Sequence, residues 1–377
     1  MHLDGSVRVE TLIELSQKEN LPLPSYTPEG LNKLVFKDQY QDLTEYLQGF
    51  ALVLPVMQNP ENLERISYEF AKDSIEDGVC YVEVRFAPQL HINNKQNIDE
   101  VLLSVNRGFK KAKEEYQGKP GFHYGIICCA MRFFTKGFSE YLDKFIDKHQ
   151  DLDQNVIFGL SSLDLAKKCV ATRDKHDIPI VAIDIAGAEA GNPPIIHKEA
   201  YQFAHKNLMH LTAHAGEEYG PEGIHQTITE LYPERIGHGF HLFSKEEIKD
   251  ESIQNKGKYL EKLIQYIAKT QTTLEACLTS NLQTMPFLKN IKDHAFAKML
   301  DHNLSIAICT DNRTVSKTNL TKELTLAAEN FDLDKAALKK LIINSFEKSF
   351  FYGSYAEKIS YIKQVIETYD QLVTTQQ

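Results

Sequence analysis

Two neighbouring stretches indicate the fold of this chain: IPIVAIDIAG (178–187) and LMHLTAHAGEE (208–218). Each begins with a short apolar run and ends in small or polar residues. The first run is apolar on both faces, which is typical of a parallel strand covered by helices on both sides. Because a helix-length segment separates the two runs, together they predict a strand–helix–strand unit of a parallel sheet.

The same alternation continues along most of the chain. Five further runs have the length and composition of strands: CYVEVRF (80–86), HYGIICCA (123–130), ERIGHG (234–239), TTLEAC (272–277) and LSIAICT (304–310). Segments with helical spacing lie between them. In YLEKLIQYIAK (259–269) the apolar residues recur at the spacing of one helix face: Leu260, Leu263, Ile264 and Ile267.

Two helix starts are predicted from capping residues. Ser161, followed by Asp164, resembles a capping box. Asp332 is placed to cap a helix near the end of the chain. The apolar stripe of that helix consists of Leu338, Leu341, Ile342 and Phe346.

Seven strands alternating with helices predict an α/β fold, and MHLDG (1–5) is interpreted as the tail of an eighth strand. Eight strands would close a (β/α)8 TIM barrel with extra helices, in which the first strand is largely missing. An open doubly wound sheet is the alternative. Such a sheet usually carries a glycine-rich phosphate turn, and neither GxGxxG nor GxxxxGK[ST] occurs here. We expect residues 1–377 to form a single domain.

The charge, apolar content and cysteine pattern of the chain limit the kinds of molecule it can bind and the compartment it suits. The 377 residues carry a net charge of −10, and no basic cluster is longer than KKAK (110–113), which argues against nucleic acid and anionic membrane as partners. No stretch is long and apolar enough to span a membrane, and none has the pattern of a signal peptide. The six cysteines form no CxxC pair. They are interpreted as reduced, buried residues of a cytoplasmic protein.

Residues able to bind a metal stand at the ends of four predicted strands. His2, His214, His238 and Asp311 each end a different strand, and in a barrel these ends meet at the catalytic face. Neutral imidazole and carboxylate suit Zn²⁺. Taken singly, each has a simpler interpretation, since a histidine there is often a rim residue and an aspartate a helix cap.

Two of the nearby side chains suit proton transfer. Glu217 lies three residues past His214, so it can reach the same cavity while bending away from the metal, and is a candidate general acid. His238 lies between two glycines and can approach a water molecule closely as its base.

The motifs at these positions, taken in order, resemble those of the adenosine deaminase family of zinc hydrolases, the adenosine/AMP deaminases. They are HLDGS (2–6), YVEVRFAP (81–88), AIDIAG (182–187), TAHAGE (212–217), RIGHG (235–239) and TDN (310–312). The segment NPENLERISYEF (59–70) is also similar, and the resemblance extends to about residue 313. HAGE, GHG and TD at these separations are highly specific together.

The resemblance implies one Zn²⁺, bound by His2, His214 and Asp311. The family has an HxH motif on its first strand, and His2 matches the second histidine. We therefore expect the chain to be truncated by at least the first ligand histidine, which puts its metal affinity in doubt. Related two-metal barrels carry a bridging lysine at the end of the fourth strand, where this chain has Ile185, Ala186 and Gly187.

The resemblance also implies the reaction, hydrolytic deamination of adenosine or 2′-deoxyadenosine to inosine and ammonia, in purine salvage. His238 would orient and deprotonate the water that attacks C6, and Glu217 would protonate N1. A purine nucleoside would be the small-molecule partner. Its contacts would be Gly187 through its backbone to N3, Asp4 and His2 to the ribose 5′-hydroxyl, and Asn312, in place of a second aspartate, to N7.

Other functions remain open. An adenine or N6-modified adenine nucleotide deaminase is one alternative, although only Arg85 and Arg313 are mouth-side arginines, too few for an obvious phosphate clamp. A catalytically impaired, nucleoside-binding barrel is another. The cysteine-rich zinc deaminases require PCxxC, which is absent here.

Residues 42–55 are interpreted either as a lid or as a helix simply packed on the barrel.

Overall fold

A curled parallel sheet of seven strands forms the centre of the molecule in the computed structural model, which describes residues 1–375. Neighbours in the sheet follow chain order and every pair is parallel. The strands are β1 (Tyr81–Phe86), β2 (His123–Met131), β3 (Ile180–Ala186), β4 (His210–Ala215), β5 (Arg235–His238), β6 (Thr273–Ala276) and β7 (Ile306–Ile308). All seven strands predicted from the sequence are confirmed, most of them shortened by one or two residues at an end, and the runs 178–186 and 208–215 correspond to β3 and β4.

Residues 1–3 lie between the first and last strands. The backbone N–H of Arg85 donates to the carbonyl of Met1, and that of Leu3 donates to the carbonyl of Arg85, both at 2.9 Å. On the other side, the N–H of His2 donates to the carbonyl of Asp311 at 2.8 Å. This short segment therefore takes the position of an eighth strand, and the predicted (β/α)8 barrel with extra helices is confirmed.

Helices surround the sheet and extend beyond it at both ends of the chain. Five precede β1: α1 (Val9–Lys18), α2 (Pro28–Leu34), α3 (Leu43–Gln48), α4 (Phe50–Val53) and α5 (Pro60–Glu76). Eight lie between the strands: α6 (Ile98–Glu115), α7 (Glu140–Lys148), α8 (Gln154–His176), α9 (Lys198–Lys206), α10 (Pro221–Leu231), α11 (Lys256–Thr270), α12 (Leu278–Thr284) and α13 (Phe296–Asp301). The last are α14 (Leu320–Asn330), α15 (Lys335–Glu347) and α16 (Tyr355–Thr375). Among the described residues, no helix has the length and apolarity needed to cross a bilayer.

Only one of the two predicted apolar helix faces is fully buried, because Leu338, Leu341, Ile342 and Phe346 of α15 are half-buried. The four apolar residues predicted on α11 are all buried. Ser161, in contrast, lies inside α8, whose first turn is capped by Asp153. Asp332 adopts a left-handed conformation, and Asp334 caps α15 by accepting from the N–H of Ala337. Both predicted helix starts are therefore wrong.

Charged side chains form a chain of ion pairs inside the barrel. Arg85 contacts Asp184 at 3.0 Å and Glu275 at 2.5 Å. Arg235 contacts Glu275 at 2.8 Å and also pairs with Glu83. All five residues are buried or nearly so. The expectation that Arg85 lies at the mouth is wrong, because side chains alternate along β1 and Arg85 points into the barrel interior.

Two further predictions concern the burial of the cysteines and the structure of residues 42–55. The six cysteines are free thiols, but Cys80 and Cys309 are only half-buried, so the prediction of burial holds for the other four. Residues 42–55 form the two short helices α3 and α4 followed by a 3-10 turn, rather than one helix. Tyr46 of this segment is buried against Ser316. Whether the segment moves as a lid stays a prediction.

Candidate active site

Three of the predicted metal ligands meet at the mouth of the barrel. His2 comes from the segment that closes the sheet, His214 from β4, and Asp311 from the turn after β7. The Nε2 atoms of His2 and His214 are 3.2 Å apart, and Nε2 of His2 is 3.5 Å from Oδ1 of Asp311. The fold thus brings together three groups that are 97 to 309 positions apart in the chain, as predicted.

The spacing of these atoms fits a single tetrahedral metal ion. Zinc–nitrogen bonds of about 2.0–2.1 Å place two ligands of a tetrahedral ion about 3.3 Å from each other. The two separations given above, 3.2 and 3.5 Å, lie on either side of that value. Two imidazoles and one carboxylate are also ligands that zinc prefers.

Asp184 of β3 fixes the orientation of His214. Its carboxylate lies 3.0–3.2 Å from Nδ1 of His214 and accepts from the backbone N–H of the same residue at 3.2 Å. Burial opposes ionisation of Asp184, but the charges of His214 and Arg85 hold its pKa well below the usual range. The ionised carboxylate therefore keeps a proton on Nδ1 and leaves Nε2 of His214 free to bind a metal.

Asp311 is held by its backbone and by a neighbouring hydroxyl. It adopts a φ of 57°, and its Oδ2 accepts a hydrogen bond of 2.7 Å from Ser280. Burial would raise its pKa, but the nearby His238, His2 and His214 lower the pKa to about 2. Asp311 is therefore a carboxylate, with Oδ1 directed toward His2.

A second cluster shares Asp311 with the first. Oε1 of Glu217 lies 3.4 Å from Nε2 of His238, and both residues have ligand atoms within 4.8 Å of Asp311. Burial raises the pKa of Glu217, which favours its protonated form. Gly237 lets β5 approach β4, since a Cβ there would lie 3.2 Å from Cα of His214.

Glu189 holds the loop that carries Glu217. It is only 6% exposed and follows β3. Its carboxylate accepts hydrogen bonds of 2.9–3.1 Å from four consecutive backbone N–H groups, those of Gly216, Glu217, Glu218 and Tyr219. The buried Arg132 holds the same loop by donating to the carbonyl of His214 at 2.5 Å.

Of the predicted substrate contacts, His2 belongs to the first cluster, Asp4 lies beside His2, and Asn312 directly follows Asp311 in the chain. Asp4 is buried, with Oδ1 4.0 Å from Nδ1 of His2, and burial raises its pKa to about 7. Gly187 follows β3 with a φ of 100°. Asn312 lies beside Gly5 and donates to the hydroxyl of Tyr46 at 2.7 Å.

Sequence reasoning did not identify several residues that hold the site. Asp184, Glu189 and Arg132 act on His214 and Glu217 from other strands or loops, and Ser280 and Asn281 act on Asp311 and His238 from α12. A visible signal existed for Asp184 alone, because it is a charged residue within an apolar run.

Comparison with known proteins identifies the same family as the sequence motifs do, over nearly the whole chain. The sequence model of the family described as "Adenosine deaminase" matches residues 1–168 and 160–367. The adenosine deaminase of Clostridium acetobutylicum is 33% identical over 350 residues, which are 93% of this chain and 91% of that protein.

Solved structures agree with the fold. A zinc-bound amidohydrolase from Burkholderia ambifaria superposes with a TM-score of 0.75 at 18% identity, covering 99% of this chain and 90% of that one. The N6-mAMP deaminase of Arabidopsis gives a TM-score of 0.74 at 22% identity, covering 97% and 96%. The family match over nearly the whole length shows that this chain belongs to the adenosine deaminase family and is a hydrolytic deaminase.

Proposed function

We propose that this enzyme deaminates adenosine and 2′-deoxyadenosine to inosine or deoxyinosine and ammonia, and that it depends on one zinc ion. The proposal rests chiefly on one observation: the cluster His2–His214–Asp311 and the cluster Glu217–His238–Asp311 share a carboxylate. A metal-binding set and a proton-transfer set thus meet at one point. The curated relative named above is an adenosine deaminase.

His2, His214 and Asp311 would hold the metal. Zinc in such a site lowers the pKa of a coordinated water to about 7 and so supplies a nucleophile at neutral pH. Asp184 and Ser280 support the site by orienting His214 and Asp311. The zinc-bound structural relative is consistent with this choice of metal.

Glu217 and His238 would carry the proton chemistry. Because burial raises the pKa of Glu217, the residue can hold a proton for N1 of the purine. Protonation of N1 lets the ring accept electrons while water adds to C6. His238 lies beside Glu217 and would orient the water, and the family resemblance also gives it the role of base.

Residues around the clusters would bind the nucleoside. The N–H of Gly187 would donate to N3, and the left-handed backbone there favours glycine. Asp4 and His2 would contact the ribose 5′-hydroxyl. The amide of Asn312 would face N7, which is an acceptor, so an asparagine can donate to it directly.

We further propose a single-domain, cytoplasmic enzyme of purine metabolism. One core of parallel strands runs from residue 81 to residue 308. Free cysteines are typical of reducing compartments.

An N6-modified adenine nucleotide is the second candidate substrate. Arg313 follows Asn312 directly, and its Nη1 is buried with no hydrogen-bond partner among the described residues. A guanidinium of this kind could receive a 5′-phosphate. The Arabidopsis relative is an N6-mAMP deaminase.

A substrate panel tests the proposal. Zinc-loaded protein is given adenosine, 2′-deoxyadenosine, adenine, AMP and N6-methyl-AMP, and amine or ammonia release is measured. We expect the largest kcat/KM for adenosine. Preference for a nucleotide would support the second candidate, and nucleoside binding without turnover would identify an inactive barrel.

A further inference from the structure

A buried relay of hydrogen bonds reaches His238 from the side opposite Glu217. The backbone N–H of Phe296 donates to Nδ1 of His294 at 3.0 Å. Nε2 of His294 lies 3.1 Å from Oδ1 of Asn281, and Nδ2 of Asn281 lies 3.2 Å from Nδ1 of His238. The three side chains are at most 2% exposed.

The direction of this relay is set by its first member. A backbone N–H can only donate, so Nδ1 of His294 is an acceptor. Burial lowers the pKa of His294 to about 3, so the ring is neutral and its proton is on Nε2. That proton is donated to Oδ1 of Asn281.

Hydrogen-bond donation runs the same way in the next step, from Asn281 to His238 in the active site. With Oδ1 facing His294, the amide group of Asn281 presents its N–H to Nδ1 of His238. In the neutral ring of His238, Nδ1 is then the acceptor and the proton is on Nε2. This is the atom that faces Glu217 at 3.4 Å.

We propose that His294 and Asn281 are positioning residues that keep the proton of neutral His238 on Nε2, so that His238 meets the attacking water as a hydrogen-bond donor. His238 then orients the water rather than deprotonating it, and the proton that the water loses goes to Asp311, or to Glu217 once that carboxyl group has given its own proton to N1. This inference deepens the proposed function and rests on it for the role of the water, whereas the position of the proton does not depend on the substrate.

Two variants test whether the order of donors and acceptors in the relay matters: one keeps that order and the other reverses it. His294→Gln can accept from Phe296 and donate to Asn281, so it preserves the direction. Asn281→Asp can only accept. Its carboxylate would draw the proton of His238 to Nδ1 and leave Nε2 as an acceptor, which is the arrangement that a general base needs.

The position of the proton is measured by ¹⁵N NMR of histidine-labelled, zinc-loaded protein, with His238→Gln used to assign the resonance. We expect a protonated Nε2 in the native enzyme and in His294→Gln, and a protonated Nδ1 in Asn281→Asp. A bare Nε2 in the native enzyme would overturn the inference, whatever the substrate.

Kinetics provide the second readout. We expect His294→Gln to retain kcat within about threefold, and Asn281→Asp to lose about 100-fold or more in kcat with little change in inosine binding. If Asn281 had only a structural role, Asn281→Asp would be expected to weaken inosine binding as well as to lower kcat. If Asn281→Asp retained or gained kcat, His238 would be the base and the inference would be wrong. Should Asn281→Asp not fold, the native spectrum and His294→Gln still decide the matter.

Discussion

The carboxylate of Asp184 contacts His214 twice, through the ring Nδ1 and through the backbone N–H. A carboxylate behind a metal-bound histidine fixes both the tautomer and the orientation of the ring. The same carboxylate pairs with Arg85, so the proposed metal site is joined to the ion pairs of the barrel interior.

Replacing Asp184 should therefore weaken metal binding. We expect Asp184→Asn to reduce zinc affinity by about 10- to 100-fold, because His214 loses its charged acceptor. Competition with a chromophoric chelator measures this change. Asp174→Asn is the matched control, since Asp174 is exposed and its one ion pair within residues 1–375 is with its neighbour Arg173. Unchanged zinc affinity in Asp184→Asn would show that His214 is oriented by other contacts.

Glu189 should affect catalysis without touching substrate. In Glu189→Gln one oxygen is replaced by an N–H donor that opposes the N–H groups of residues 216–219. We expect kcat to fall by about 10- to 100-fold through misplacement of Glu217, with a smaller change in KM. Glu199→Gln on the exposed face of α9 is the control. An equal loss of kcat in Glu189→Gln and Glu199→Gln would rule out a specific role of Glu189.

Asp4 should make the metal-free protein less stable as pH rises. Its pKa is raised by burial from 3.8 to about 7, so the folded state binds a proton that the unfolded state has released between these values. Stability is then lost across that window, by up to about 4 kcal/mol. Urea unfolding of the chelator-treated protein at pH 4 to 7 measures the slope. Asp4→Asn should flatten it, and an equal slope in both proteins would contradict the assignment.

Gly5 should tolerate no side chain. A Cβ at Gly5 would lie 1.7 Å from Oδ1 of the buried Asn312. We expect Gly5→Ala to cost about 1–3 kcal/mol in the free energy of unfolding and to break the contact between Asn312 and Tyr46. In the control Gly257→Ala, on an exposed helix start, the nearest atom is 3.6 Å away. Similar unfolding curves for the two variants would refute the steric argument.

The sequence predicts the strands well because each is a buried apolar run, and it predicts the convergence of His2, His214, His238 and Asp311 because barrel strands end at one face. The helix start at Ser161 is wrong because a capping pattern is local, whereas α8 begins where Asp153 satisfies its first turn. Arg85 is misplaced for a related reason. Its neighbours in sequence do not reveal which face of β1 points into the barrel.

The supporting residues could not be predicted from spacing. Asp184 and His214 are 30 positions apart, and Asn281 and His238 are 43 apart. Each pair meets only because strands and loops of the barrel bring them together. No periodicity or motif in one segment carries that information, so these contacts become visible only in the folded structure.

Anomalous diffraction at the zinc edge from crystals of the zinc-loaded enzyme tests the central claim most directly. We predict one strong peak per chain, within coordination distance of Nε2 of His2, Nε2 of His214 and Oδ1 of Asp311, and beside Glu217 and His238. A peak elsewhere, or no peak in crystals grown with excess zinc, would contradict the account.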